Sequence, residues 1–330
     1  MNVYPKSYFT PSYLVNNSLD KHGLVVGIGS LGCNAVNYQY LFHRSNQMNY
    51  LAVDTSLDRC MEGATPVNTI YLHRKPATAS LIDAGNLSPL EKLAQQIALL
   101  ESKYIYLLVA LGNVVNNSLA IGAAMLCKAK DKIVLAVVAM PFANEGERTA
   151  ETAQTILRVL QQEADSTLYF YKDQLLGQTC SGWHYPFQAE FINYCFHLPV
   201  MVVLNIVKQQ GIVSVDESDI KFILRQNKYM GVGMALTNKR NWVEHLFHQL
   251  IDSPYLKPIA GASVRYVLYN IDTSYHNQPM MDDIDAFNLL LEEHFDGKAQ
   301  IIIGLGIDNS LDTWIRLTCI VIYFNPEDKD

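Results

Sequence analysis

Three glycines at the spacing Gly27-x-Gly29-x-x-Gly32 follow the apolar run GLVVG and lead into a stretch with helical periodicity. A strand that turns through glycines into a helix points backbone amides and the positive helix end at one spot, which suits a phosphate. Ser30 and Asn34 flank that spot as further candidate contacts. Two ligand readings compete. In one, the turn is a dinucleotide fingerprint, and Asp54, which closes YLAVD at about the right distance, holds a ribose hydroxyl. In the other, it is one of several phosphate loops around a nucleoside triphosphate. A ligand-free strand–helix turn is the third reading, and a lone G-x-G-x-x-G does not separate them.

Alternating strand and helix signals position this turn. Apolar strands are expected at Gly23–Gly27, Tyr50–Asp54, near Ile70, and at Tyr104–Leu111, Ile133–Met140 and Ser166–Tyr171. Helical patterns at Cys33–Phe42, Leu90–Glu101, Leu119–Lys130 and Thr149–Gln162 fall between them. Short apolar strands separated by helices predict a parallel sheet covered on both faces. A long apolar helix at Gln188–Gln210 follows, with Pro199 inside it and Gly211 as its expected C-terminal cap. Beyond it come fewer helices per strand: helices at Asp219–Arg225, Asn241–Ile251 and about Asp283–Phe295, with strands MGVGMAL, VRYVLYNI, AQIIIGLGI and RLTCIVIYF. That pattern predicts a smaller mixed sheet. The domains are read as an arm at 1–22, a nucleotide-binding domain at 23–187, a central helix at 188–211 and an α/β domain at 212–330.

The totals narrow the classes. A chain of 330 residues with 49% hydrophobic and 17% charged residues is globular and long enough for two domains. A net charge of −7 argues against a general nucleic-acid or anionic-membrane binder. No apolar run reaches about 18 residues, so no membrane span is expected, and MNVYPKSYFTPSYLVNN does not read as a signal peptide. Six cysteines without a CxxC pair fit a cytoplasmic protein with no disulfide framework and no metal site. The histidines are scattered and form no catalytic set.

Seven segments occur in an order that carries a family resemblance: Cys33-Asn34-Ala35-Val36-Asn37, PFANEGER at 141–148, YKDQLL at 171–176, VSVDESDI at 213–220, YMGVGMA at 229–235, SPYLKPIAGA at 253–262 and IIIGLGIDNSLD at 301–312. Together they resemble FtsZ, the bacterial tubulin-like cell-division GTPase, from about Leu24 to Phe324. The resemblance implies a tubulin/FtsZ-like α/β fold: a Rossmann-type parallel-sheet domain joined by the central helix to the smaller mixed domain. It implies GTP or GDP, with Mg²⁺, as cofactors, and subunits that stack head to tail so that the acidic loop of one completes the site of the next. The implied nucleotide contacts are Gly27, Gly29, Ser30, Gly32, Asn34, Gly112, Asn116, Asn117, Ser118, Glu145, Arg148, Asp173 and Asn193. The implied catalytic pair is Asp216 and Asp219, three apart at a helix start, where they would orient and polarise water. Two plainer roles compete: Glu145 as a cap for the helix at Thr149, and Asp216 and Asp219 as acids that complement a helix dipole.

The sequence departs from the family at the site. Where the family has a GGGTGTG turn after the fourth strand, this chain has Gly112-Asn113-Val114-Val115-Asn116-Asn117-Ser118. Valines resist positive φ, and each strained non-glycine position costs about 1–3 kcal/mol. Several would weaken binding about a thousandfold at ~1.4 kcal/mol per decade, although Asn116 and Asn117 tolerate the left-handed region. An Asn-Asp pair before the central helix becomes Lys172-Asp173, and a second on that helix becomes Asn193-Tyr194, replacing an acid that reads guanine with a phenol. Another glycine loop is thinned to Ala84-Gly85-Asn86, and only NPEDKD follows the last strand, so no membrane-docking tail is expected.

The expected function is therefore a divergent FtsZ-like cytoskeletal or cell-division protein with weakened or lost GTP binding. It would dock on its own kind or on an FtsZ-type filament and cap or modulate it. The alternatives are a polymerising FtsZ-type GTPase and a dinucleotide-binding enzyme.

Overall fold

The computed structural model describes residues 23–42, 45, 48–54, 68–71, 89–99, 102–179, 184–207, 211–213, 215–226, 228–256, 262–295 and 297–324. The arm at 1–22, Ala84-Gly85-Asn86, Ser214, the stretch 257–261 and the terminal NPEDKD lie outside them. The chain divides into two compact units. The first comprises residues to 164 with 171–197, the second residues 165–170 with 198 onward.

In the first unit, β1 (Gly23–Ile28), β2 (Met48–Asp54), β3 (Asn68–Tyr71), β4 (Tyr104–Ala110) and β5 (Ile133–Met140) lie in the order β3-β2-β1-β4-β5. All pair parallel. Every residue of β1, β2 and β5 is buried, which is why these strands read as unbroken apolar runs. The helices α1 (Gly29–Phe42), α2 (Pro89–Leu99), α3 (Val114–Lys128) and α4 (Glu147–Glu163) make the crossovers. Strand order reverses between β1 and β4, whose register pairs Ile28 with Val109. The turns leaving those two strands therefore emerge side by side, the usual place for a ligand in an open α/β sheet.

The second unit holds β6 (Ser166–Tyr171, its residues to Phe170), β7 (Gly211–Val213), β8 (Lys228–Thr237), β9 (Ser263–Thr273), β10 (Gln300–Ile307) and β11 (Ile315–Phe324), in the order β6-β8-β11-β9-β10-β7. Its pairing is mixed: β11 runs antiparallel to β8 and β9, whereas β9 and β10 are parallel. One face packs Val267, Tyr269, Ile271, Leu317 and Cys319 against Leu246, Leu250, Phe287 and Leu291 of two helices, Trp242–Ile251 and Met281–His294.

In chain order, α5 (Lys172–Thr179) and α6 (Tyr185–Val207) come between β6 and β7. Pro199 lies inside α6, as expected, but Gly211 opens β7 instead of capping a helix. By length and composition Pro186–Val207 passes for a membrane span, which the sequence reading did not anticipate; 72% of that window is buried in the protein, as in a core helix. Cys33, Cys127, Cys195 and Cys319 are buried free thiols.

Helix starts differ from expectation where the site lies. α1 begins at Gly29 rather than Cys33, and α3 at Val114 rather than Leu119. The residues expected to form a wrapping loop are mostly the first turn of a helix.

Candidate functional site

The β1–α1 turn is held by contact between backbones. A Cβ on Gly27 would stand 2.2 Å from the Gly32 carbonyl oxygen, and one on Gly32 would stand 2.4 Å from that of Leu108. Gly29 has φ +73°, in the left-handed region. Cys33 donates its thiol to the Gly27 carbonyl at 3.8 Å. Ser30 is half-buried, and Asn34 faces solvent.

The β4–α3 turn is built differently. Gly112 has φ +122°, and Asn113 then caps α3 in an extended conformation. The Asn113 Oδ1 accepts from the amides of Val115 at 2.9 Å and Asn116 at 3.3 Å. The Gly112 amide donates to Asn117 Oδ1 at 3.3 Å, and Ser118 Oγ donates to the Val114 carbonyl at 3.0 Å. This overturns the expectation of strain. Val114 and Val115 lie in right-handed helix, and among the described residues only Asp131 and Asp312 combine a side chain with positive φ. Asn116 and Asn117 are likewise helical and rescue no left-handed position. A helix leaves its first amides without intrahelical partners; here the Asn113 side chain takes those of Val115 and Asn116, and Asn117 takes the amide of Gly112 just before the helix.

The two turns meet. A Cβ on Gly29 would fall 2.2 Å from Asn116 Nδ2 and 2.6 Å from its Cγ, so that carboxamide lies directly on the glycine. A Cβ on Gly112 would lie 3.1 Å from Thr149 Cγ2 and 3.8 Å from Glu145 Oε2, which places the PFANEGER segment beside the second turn.

Glu145 sits in a short 3-10 turn (Ala143–Glu145), where its Oε1 accepts from the Phe142 amide at 2.8 Å. It thus closes its own turn and does not cap the helix at Thr149. The same oxygen meets Lys172 Nζ at 2.9 Å. Burial pushes the Glu145 carboxyl up, but the Phe142 amide and the Lys172 ammonium outweigh that and hold it below the usual carboxylate range. Lys172 is 7% exposed, with its ammonium 4.0 Å above the Phe142 ring. Asp173 Oδ2 accepts from the Ala143 amide at 2.7 Å. Arg148 is exposed, and its carbonyl accepts from Thr152 Oγ1. On α6, Asn193 Oδ1 is buried without a partner among the described residues. The neighbouring Tyr194 stacks near Phe191 and His197 at centroid distances of 6.4 and 6.3 Å.

In the second unit, Asp216 caps the helix α7 (Glu217–Leu224), accepting from the Ser218 amide at 3.4 Å and the Ser218 hydroxyl at 2.8 Å. Asp219 lies in the first turn of that helix, also exposed. One acid of the expected pair therefore serves as the cap.

Sequence reasoning missed two parts of this arrangement. An Asn ahead of an apolar helical stretch is an N-cap signal, so Asn113 was legible. The Lys172–Glu145 pair joins residues 27 apart on different elements, and no local pattern announces it.

No family profile matches the chain. Cell division protein FtsZ of Buchnera aphidicola subsp. Acyrthosiphon pisum is 23% identical over 316 residues, covering 94% of this chain and 81% of that protein. The mitochondrial division protein fszB of Dictyostelium discoideum is 25% identical over 195 residues, covering 59% and 52%. Among solved structures, the empty FtsZ dimer of M. jannaschii superposes with a TM-score of 0.72 at 18% identity, over 93% of this chain and 89% of that one. CetZ2 of Haloferax volcanii, solved as a GTPγS-bound protofilament, gives 0.71 at 17% identity, over 91% and 92%. The chain has the tubulin/FtsZ-like α/β fold of these structures and is distantly similar in sequence to FtsZ. Its first unit carries the expected glycine turn after β1, and the turn after β4 is a capped helix start. Asp54, the acid of the dinucleotide reading, is buried at 5% exposure at the end of β2.

Proposed function

We propose that this is a cytoskeletal protein of the FtsZ/tubulin superfamily that binds guanine nucleotide weakly, docks head to tail on an FtsZ-type filament and caps or modulates it. The observation that carries this reading is that the chain's own asparagine side chains occupy the amides of Gly112, Val115 and Asn116. An N-cap and a neutral hydrogen bond are each worth about 1 kcal/mol. Opening both for a triphosphate would weaken binding roughly 30-fold at ~1.4 kcal/mol per decade. Glu145, one of the implied nucleotide contacts, is engaged as well, through Lys172. Asp219, exposed on α7, is the carboxylate offered to a neighbour's nucleotide. A second reading, a polymerising GTPase, is favoured by the intact Gly27–Gly32 turn and by the GTPγS-bound protofilament of CetZ2.

Sedimentation with and without GTP, alone and mixed with an active FtsZ, separates the two. Alone, the protein should stay in the supernatant and turn over no GTP. In the mixture it should change polymer mass, and Asp219→Ala should abolish that effect. GTP-dependent pelleting of the protein alone would establish the second reading instead.

A further inference from the structure

We propose that the Asn116 side chain is a built-in plug: it occupies the space between the two turns in which a polyphosphate would sit, and its removal opens a seat for one. The inference rests on the functional reading above and adds the regulation of that site. β1 and β4 are parallel neighbours in register, so the turns that leave them emerge side by side. The carboxamide of Asn116 bridges the space between them by lying on Gly29, whose missing Cβ leaves it room: the would-be Cβ falls 2.2, 2.6 and 2.8 Å from Nδ2, Cγ and Oδ1 of Asn116.

The plug is side chain, not backbone. Asn116 stands in the first turn of α3, and its main chain is already held by the cap from Asn113. Shortening the side chain leaves the helix and its cap in place. What it exposes is the start of α1 at Gly29, beside the start of α3. Two neighbouring helix N-termini favour an anion with several negative charges. A carboxamide is neutral, so it fills this seat without matching its field.

The test compares the full chain with Asn116→Ala, and with Asn116→Ser as a second variant that suits a first helical turn. Far-UV circular dichroism confirms folding, and thermal melts are recorded with millimolar tripolyphosphate, GTP or ATP. The unchanged chain should melt at the same temperature with tripolyphosphate and gain clearly less than the variants with GTP or ATP. The folded variants should gain about 3 °C or more with tripolyphosphate. A gain with nucleoside triphosphates alone would assign the opened seat to a ligand that carries a base, with the plug upheld. No gain with any ligand, in a variant that folds, overturns the plug and leaves the functional reading standing. An equal gain in the unchanged chain overturns both.

Discussion

The turns after β1 and β4 sit side by side and have opposite constraints. At the first, Gly27 and Gly32 face backbone oxygens at 2.2 and 2.4 Å from where a Cβ would be, so strand and helix cannot pack with larger residues there. At the second, the nearest atoms a Cβ on Gly112 would meet are all side chain: the Thr149 methyl at 3.1 Å, the Pro141 ring at 3.6 Å and the Glu145 carboxylate at 3.8 Å. The first set of glycines serves the fold and persists whether or not a phosphate is bound. The second position is free of that demand, and there the chain carries a capped helix. A glycine motif at a strand–helix turn is thus strong evidence for packing and weak evidence for a ligand.

The largest effect that tests this comparison is Gly32→Ala. The methyl would press on the Leu108 carbonyl, which the β4 pairing holds in place, and overpacking of this kind costs about 3 kcal/mol. Gly112→Ala should cost less, about 1–2 kcal/mol, because its penalty is the positive φ with a methyl contact that can shift. Urea unfolding of the two variants measures both. Equal losses would mean that the two turns are equally constrained by packing, contrary to the geometry.

The architecture was legible because parallel strands buried on both faces must be apolar throughout. LVV, YLAV and IVLAVVAM announce β1, β2 and β5 without help from tertiary context. The glycine turn was legible as a turn. The second turn was misread because the family pattern predicted a loop, and the valines then looked strained. Asn113 followed by Val114 and Val115 is equally a cap followed by helix, and an N-cap with its acceptor satisfied needs no glycine. The state of Glu145 was illegible for another reason: its partner Lys172 arrives from a different element, positioned by the end of β6 and ringed by Phe142. Asp216 and Asp219 were placed at a helix start correctly, and the capping bond that occupies Asp216 is a local interaction their spacing allowed.

Next in size is Asn113→Ala. It removes the acceptor for the Val115 and Asn116 amides and should destabilise the protein by about 1 kcal/mol. Asn113→Asp keeps the acceptor, adds a negative charge at the start of α3 and should be neutral or slightly stabilising. If both variants behave alike in urea, the side-chain cap contributes nothing, and the second turn is held by something other than its asparagines.

The smallest effect concerns Glu145, the acid that ties the second turn's neighbourhood to Lys172. Its carboxyl is held below the usual range in the folded protein, so folding favours the charged form. The stabilisation is then complete above the ordinary carboxylate pKa of about 4.3, and it is lost as pH falls through the lower, folded value. Because the side chain is 38% exposed, solvent screening limits the effect to well under 1 kcal/mol. Glu145→Gln should therefore lower stability slightly at pH 7, and the gap between variant and parent should close below about pH 4. A gap that persists unchanged into acid would show that packing around Phe142 and Lys172, and not the ion pair, holds this segment beside the remodelled turn.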